Sequence, residues 1–216
     1  MNEHINKHKI TVNKTAEIIT SGILNEHTKS VWIVLHGYGQ LPEYFIQNFK
    51  NLNNIFIIAP SGLSRAYIKG FNGRVGANWM TSHERGDEIT DYVKYLNQII
   101  SYFDLENLAN VDLNVLGFSQ GGATACRFVD KISASIKNLI LWGALIPDEL
   151  ENSATLLKNK ITVVHGSEDE FILPQKEVFL KKLETYKKKG IIAIEYKGTH
   201  RIPRKTFNEL NLKYWV

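Results

Sequence analysis

Residues 115–122 read Val-Leu-Gly-Phe-Ser-Gln-Gly-Gly, a glycine-rich stretch that contains one serine. An apolar run leads into it, and the residues after it are small or apolar at a helical period, at Gly122, Ala125, Cys126, Val129 and Ile132. The pattern predicts a buried strand, a very tight turn and a helix. Glycine on each side of Ser119 makes the turn sterically possible, because side chains at Gly117 and Gly121 would collide with neighbouring backbone.

A serine on such a turn is raised out of the sheet edge. The first amides of the following helix then point at whatever the hydroxyl attacks. Ser119 is therefore a candidate nucleophile. The alternative is a glycine-rich strand-to-helix connection with a capping serine, and the partners elsewhere in the chain must decide between the two.

Length and composition limit the possible folds. A chain of 216 residues with 44% hydrophobic residues predicts a single domain, which we place at residues 9–216 after a flexible segment at residues 1–8. The net charge of +4 comes from basic residues spread along the chain, which argues against binding to nucleic acid. Cys126 has no partner for an intrachain disulfide and is expected in the core.

The beginning of the sequence lacks the apolar stretch of a signal peptide, and no later stretch approaches a membrane-spanning length. A cytoplasmic protein with no membrane span is therefore expected.

Apolar runs that read as buried strands alternate with stretches of helical period. Strands are predicted at residues 10–12, 17–23, 31–35, 55–59, 111–116, 139–142, 161–164 and 191–196, and helices at 41–52, 89–103, 120–132, 175–190 and from 203 onwards. This order predicts an α/β fold with a mostly parallel central sheet, helices on both faces and catalytic loops at the carboxyl ends of the strands. Residues 63–86 show no period and are expected to form a long functional or disordered loop.

A serine nucleophile needs a base within hydrogen-bond reach, and the base needs an acid to orient it. His200 follows the last predicted strand and is the candidate base, with a surface loop histidine as the alternative. Asp169 follows the strand that ends at Val164 and is the candidate acid, although Glu168 and Glu170 stand beside it. The order Ser, Asp, His is the one that this sheet topology uses.

Two backbone amides are expected to receive the negatively charged oxygen of the tetrahedral intermediate. The amide of Gln120 is one, because it opens the helix after the turn. The amide of Tyr38 is the natural second, since Gly37 and Gly39 let the loop after Leu35 bend inward. The alternative for this segment is a simple sharp turn at a strand end.

Four segments together resemble the phospholipase/carboxylesterase family of α/β-hydrolases, which includes small bacterial carboxylesterases and acyl-protein thioesterases. They are Leu35-His36-Gly37-Tyr38-Gly39, Gly117-Phe118-Ser119-Gln120-Gly121-Gly122, His165-Gly166-Ser167-Glu168-Asp169 and Gly198-Thr199-His200. The resemblance implies an α/β-hydrolase fold and a serine esterase with Ser119, Asp169 and His200 as its triad. It also implies that Trp79 matches a tryptophan near the family's pocket.

The expected reaction is hydrolysis of small or medium acyl esters through an acyl-serine intermediate, without a metal or another cofactor. The connection from Trp142 to Lys160 is too short for a large lid domain. The pocket is therefore expected to be open and lined by residues 63–80 together with Leu145 and Ile146. Tyr67, Phe71 and Trp79 are expected to form its apolar wall, and the alternative for these aromatic residues is packing or a dimer contact.

Other functions remain open at this point. They are a thioesterase or lysophospholipase acting on longer acyl chains and a non-catalytic binding module on the same scaffold. A monomer or a homodimer is equally compatible with the sequence.

Overall fold

The computed structural model describes residues 5–50 and 52–215, and a seven-stranded sheet forms the centre of the molecule. Its strands are β1 (Ile18–Ser21), β2 (Ser30–Leu35), β3 (Ile55–Pro60), β6 (Asp112–Phe118), β7 (Asn138–Trp142), β8 (Lys160–Gly166) and β9 (Ile192–Tyr196), while β4 (Ser64–Tyr67) and β5 (Val75–Asn78) pair with each other. The order across the main sheet is β1-β3-β2-β6-β7-β8-β9. Only β1 runs antiparallel to its neighbour, so the predicted mostly parallel sheet is confirmed.

Helices cover both faces of the sheet, as the sequence predicts. The α-helices are α1 (Pro42–Phe45), α2 (Arg85–Tyr102), α3 (Gln120–Lys131), α4 (Ala154–Leu157), α5 (Lys176–Lys188) and α6 (Arg204–Leu210). Short 3-10 helices occupy Ile46–Phe49, Asp148–Leu150 and Leu173–Gln175, and a π-helical turn at Asn211–Trp215 follows α6. One core packs α2, α3 and α5 on the sheet, and a second packs α1 and α6 on the opposite face.

The central strands are buried on both faces because helices cover both. Val31, Ile33, Val34 and Leu35 in β2 are fully buried, which accounts for the uninterrupted apolar run in the sequence. Cys126 is fully buried in the core, as expected. Burial also raises the pKa of its thiol, so this cysteine behaves as a small apolar residue.

Three predictions of local structure were wrong. Residues 10–12 form no strand, and Ile10 and Val12 are 86% and 71% exposed, because this segment pairs with no strand of the sheet. The expected loop at residues 63–86 contains the β4–β5 hairpin. The helix expected at residues 41–52 is a single α-turn followed by a 3-10 turn, and residue 51 lies outside the described residues.

The connection between β7 and β8 holds only the 3-10 turn Asp148–Leu150 and α4. The prediction that no large lid domain is present is therefore confirmed. Within the described part of the chain, no helix combines the length and the apolar character needed to cross a bilayer.

Candidate active site

Ser119 stands between β6 and α3 on the tight turn that the sequence predicts. Its backbone has φ 53° and ψ −118°, a conformation that costs a non-glycine residue on the order of 1–3 kcal/mol. A Cβ built at Gly117 would lie 2.2 Å from the carbonyl oxygen of Gly121, and one built at Gly121 would lie 2.2 Å from that of Leu35. The two glycines are therefore required by close backbone packing, and the turn holds the serine in place.

Asp169 and His200 meet at the carboxyl ends of β8 and β9. The Nδ1 atom of His200 lies 2.7 Å from Oδ2 of Asp169, and this carboxylate is 1% exposed. Its other oxygen, Oδ1, accepts a hydrogen bond of 3.0 Å from the backbone amide of Phe171. Glu168 is exposed, whereas the buried Asp169 carboxylate lies within hydrogen-bond distance of the imidazole. Asp169 is therefore the acid that orients His200.

Ser119 lies at the same edge of the sheet as this pair, because β6, β7, β8 and β9 run parallel. The ring of Phe118, the residue before the serine, packs against the imidazole of His200 with 4.7 Å between ring centroids. In the described residues no hydrogen bond joins Ser119 Oγ to that imidazole. Catalytic hydrogen bonds are often long in unliganded enzymes and shorten when substrate binds.

The loop at residues 36–40 carries the Tyr38 amide. Its shape is fixed by the Gln40 side chain, which accepts a hydrogen bond of 2.8 Å from the Gly37 amide. The loop also pairs with β5 through bonds of 2.9 Å from the Gly39 amide to Ala77 and 3.0 Å from the Ala77 amide to Gln40. Among the described residues, the amides of Tyr38 and Gln120 donate to no protein acceptor, so both can donate to a substrate oxygen.

The buried side chain of His36 stabilises the loop at residues 36–40 through two hydrogen bonds. Its Nδ1–H donates to the carbonyl of Gly37 at 2.8 Å, and its Nε2 accepts from the amide of Gly62 at 2.9 Å. Both partners fix the neutral imidazole. Burial lowers the pKa of His36 from 6.5 to about 4, since no water solvates the charged form. His36 therefore orders the loop and takes no part in proton transfer at neutral pH.

Because His36 is buried in its neutral form, we expect the protein to be less stable in mild acid than at neutral pH. Below pH 6.5 the unfolded chain binds the proton more readily than the folded chain, so the free energy of unfolding should fall by up to about 3 kcal/mol between pH 6.5 and pH 4. Burial also lowers the pKa of His165, which adds a loss in the same direction. Urea unfolding at several pH values measures the slope. A His36→Gln variant should show a shallower slope than wild type, and equal slopes would contradict the assignment.

The side chain of Gln120 has a second role that the sequence did not indicate. Its Oε1 accepts a bond of 3.0 Å from the amide of Trp79, and its Nε2 donates a bond of 2.7 Å to the carbonyl of Met80. The indole of Trp79 donates to the carbonyl of His36 at 2.9 Å. The segment after β5 is thus tied both to the start of α3 and to the loop at residues 36–40.

The residues expected to contact substrate fall into two groups. Trp79 and Ile146 are only 1% and 2% exposed, so both side chains are packed inside, and their expected contact with substrate stays a prediction. Tyr67 and Phe71 lie on the β4–β5 hairpin, 50% and 96% exposed, and Leu145 is half-buried after β7. These three side chains are accessible to solvent, and their contact with substrate stays a prediction.

Two clefts of the described chain lie away from the serine and the aspartate–histidine pair. One of about 960 Å³ separates residues 11–20 from α2, and one of about 610 Å³ is formed by residues 25–29 and 108–111 with Asn54. Neither is lined by the serine or by the aspartate–histidine pair. Neither cleft therefore coincides with the candidate active site, which lies at the sheet edge with these groups.

Gly143 is a residue of the site that sequence reasoning missed. It follows β7 with φ +59°, and a Cβ built on it would lie 2.8 Å from Cε1 and 3.0 Å from Nδ1 of His200. Asp169 Oδ2 would be 3.5 Å away. The available signal was a glycine directly after a buried strand. A second missed residue is Phe171, whose ring packs on His200.

Replacing Gly143 with Ala should therefore impair activity more than stability. The methyl group displaces the imidazole, and a misplacement of about 1 Å costs on the order of 10²-fold in rate, while the left-handed backbone adds roughly 1–2 kcal/mol of destabilisation. Kinetics and thermal unfolding measure the two effects. Gly190→Ala is the matched control, because Gly190 also has a positive φ but a Cβ there would contact nothing within 4 Å. Equal activity losses in the two variants would contradict the contact.

Comparison with known proteins finds similarity over most of the chain. The sequence model of the phospholipase/carboxylesterase family matches residues 14–211. Acyl-protein thioesterase 2 of Zea mays superposes with a TM-score of 0.66 at 17% identity, covering 91% of this chain and 96% of its own. A carboxylesterase of Bacillus cereus gives 0.64 at 13% identity, covering 92% and 93%. A search of curated protein sequences finds no match. At these identities the structural matches establish the fold alone.

Proposed function

Because this chain belongs to the phospholipase/carboxylesterase family, we propose that it is a serine hydrolase that cleaves small or medium acyl esters. The observation that carries the proposal is the meeting of two arrangements at one sheet edge. One is the strained turn that holds Ser119, and the other is the buried Asp169 carboxylate bonded to His200 at 2.7 Å. Neither arrangement stabilises the fold by itself, because one is strained and the other buries a charge.

In the proposed reaction, Nε2 of His200 accepts the proton of the Ser119 hydroxyl as the oxygen attacks the ester carbonyl. The resulting imidazolium then donates this proton to the leaving alcohol, the C–O bond breaks, and an acyl-serine remains. A water molecule repeats the sequence: His200 accepts its proton, the hydroxide attacks the acyl carbon, and Ser119 leaves reprotonated. Asp169 keeps the imidazole in the tautomer with Nδ1 protonated throughout.

The negative charge that develops on the carbonyl oxygen is received by the amides of Tyr38 and Gln120. Each such donor is worth roughly 10²- to 10³-fold in rate when it is fixed in advance. The Tyr38 loop is fixed by Gln40, Ala77 and the neutral His36, as the hydrogen bonds around it indicate. This loop therefore does not have to reorganise during the reaction.

Tyr67, Phe71 and Leu145 are proposed to contact the acyl group. Both aromatic side chains lie on the hairpin whose β5 strand is bonded to the Tyr38 loop, and this connection supports a position on the oxyanion side of the serine. Their exposure favours acyl chains lying along an open surface over a chain enclosed in a deep cavity.

A thioester is the second candidate substrate, and the structural match to a thioesterase of Zea mays is the observation that favours it. The same groups serve both reactions, since a thiolate is a better leaving group than an alkoxide. A panel of p-nitrophenyl esters of increasing acyl length, measured beside acyl-CoA thioesters of the same lengths, tests both. Highest kcat/KM for short p-nitrophenyl esters supports the esterase. Highest kcat/KM for long-chain thioesters assigns the thioesterase instead.

A binding module without catalytic activity is the alternative from another class. A fluorophosphonate probe separates it from a hydrolase, because the probe reacts only with an activated serine. Labelling of Ser119, located by mass spectrometry and abolished by heat denaturation, supports the hydrolase. Intact protein that fails both to react with the probe and to hydrolyse any ester of the panel would assign the binding module.

A further inference from the structure

Three consecutive residues after β8 hold His200 at three different points. Asp169 bonds Nδ1 of the imidazole at 2.7 Å, and the carboxylate of Glu170 accepts a bond of 3.2 Å from the His200 backbone amide. The ring of Phe171 then packs against the imidazole at 4.7 Å between centroids, with the ring planes at 62°. Only the first contact belongs to the triad described above.

We propose that Glu170 and Phe171 are positioning residues that hold the His200 imidazole in the orientation that proton transfer requires. The inference rests on the proposed function, because it assigns these residues a task in that reaction. Phe171 is 63% exposed although burying an aromatic side chain is favourable, so its ring contributes little to the core and remains available to the imidazole.

A single hydrogen bond at Nδ1 leaves the imidazole free to tilt about that bond. Tilting would move Nε2 away from Ser119 without breaking the contact to Asp169. The rings of Phe118, which is 5% exposed, and Phe171, which is 63% exposed, both pack on the imidazole with 4.7 Å between ring centroids. These two aromatic contacts restrict the tilt that the hydrogen bond permits.

Glu170 fixes the backbone of the same residue. His200 lies in the loop between β9 and α6, where the chain is not held by sheet hydrogen bonds. The pKa of Glu170 is lowered, chiefly because its carboxylate accepts backbone hydrogen bonds, including the one from His200. The carboxylate is therefore ionised at neutral pH and remains an acceptor for this amide.

Two substitutions test the role of Phe171. Phe171→Ala should lower kcat about tenfold with KM changed less than twofold, because a misplaced base slows the chemical step and leaves binding intact. Phe171→Tyr should restore most of the rate, since it keeps the ring. Val178→Ala is the control, because Val178 is an apolar side chain on α5 that is 59% exposed. Unchanged kcat in Phe171→Ala, or a change confined to KM, would overturn the proposal.

Glu170 is tested by separating its hydrogen bond from its charge. Glu170→Gln keeps an acceptor for the His200 amide and should retain kcat within about twofold, whereas Glu170→Ala should lose roughly five- to tenfold. Equal rates in Glu170→Ala and wild type would show that Glu170 does not position His200. A loss in Glu170→Gln as large as in Glu170→Ala would equally contradict this role, since charge and not the hydrogen bond would then be the cause.

A measurement without substrate keeps this test separate from the proposed function. The proton shared by His200 Nδ1 and Asp169 gives a far-downfield proton NMR signal when the imidazole is held in place. The signal should be sharp in wild type and broadened by solvent exchange in Phe171→Ala, with recovery in Phe171→Tyr. If the wild-type protein shows the signal but hydrolyses no ester, the positioning role of Phe171 is supported and the proposed hydrolase function is wrong. If the signal is unchanged in Phe171→Ala, the positioning role of Phe171 is wrong and the proposed function is unaffected.

Discussion

Ser119→Ala is expected to lower kcat for p-nitrophenyl butyrate by about 10⁶-fold, the loss typical of a triad serine. The substitution removes only Oγ. The Cβ is already accommodated at φ 53°, so the variant adds no steric conflict to the turn and should fold like wild type. Initial rates together with thermal unfolding measure the two quantities. Fluorophosphonate labelling should disappear in the same variant.

Ser101→Ala provides the matched control, because this serine is exposed on α2, away from the turn. It should leave kcat and the melting temperature unchanged. If Ser119→Ala keeps a substantial fraction of the wild-type rate on the same preparation, the nucleophile lies elsewhere, and the acyl-serine reaction has to be abandoned.

The turn and the central sheet could be predicted because their causes are local. An uninterrupted apolar run such as Val31–Leu35 fits a strand that is covered on both faces, and glycines around a serine permit one particular turn. Asp169 and His200 could be proposed as partners because parallel strands bring their carboxyl ends together. Their contact at 2.7 Å follows from topology, which the order of strands and helices already encodes.

The β4–β5 hairpin could not be predicted because its cause is not local. Its strands carry no alternating pattern, and β5 is held by the loop at residues 36–40 through Gly39 and Ala77. Residues 10–12 show the opposite: a local strand pattern is present, but no strand forms. Ile10, Thr11 and Val12 alternate as in a strand, yet they pair with no strand, and local propensity alone does not build a sheet.

The placements of Trp79 and Phe171 could not be predicted from the sequence. An aromatic residue in a glycine-rich segment is compatible with substrate contact or with packing, and Trp79 is buried with His36 and Gln120 as its hydrogen-bond partners. No sequence pattern singles out Phe171, which packs on His200 while 63% exposed. In both cases the deciding contact joins distant parts of the chain, so no local pattern could indicate it.

Asp169→Asn should produce the second largest loss, about 10⁴-fold in kcat, with little change in fold. The geometry explains why an isosteric change is so damaging. In the variant, the amide oxygen can still accept the Phe171 backbone N–H, which in wild type bonds Oδ1 at 3.0 Å. The amide nitrogen is then directed at Nδ1 of His200 and, as a donor, demands an acceptor there.

An imidazole that accepts at Nδ1 carries its proton on Nε2, so it cannot take the proton of Ser119. The loss therefore arises from the wrong tautomer, and KM for p-nitrophenyl butyrate should change little. Glu168→Gln is the control for charge, because it removes an exposed carboxylate next to Asp169 without touching the imidazole. It should cost less than twofold, as substitutions on an exposed surface usually do. A loss in Glu168→Gln that equals or exceeds the loss in Asp169→Asn would show that the histidine is oriented by a different acid, and the assignment of Asp169 would be wrong.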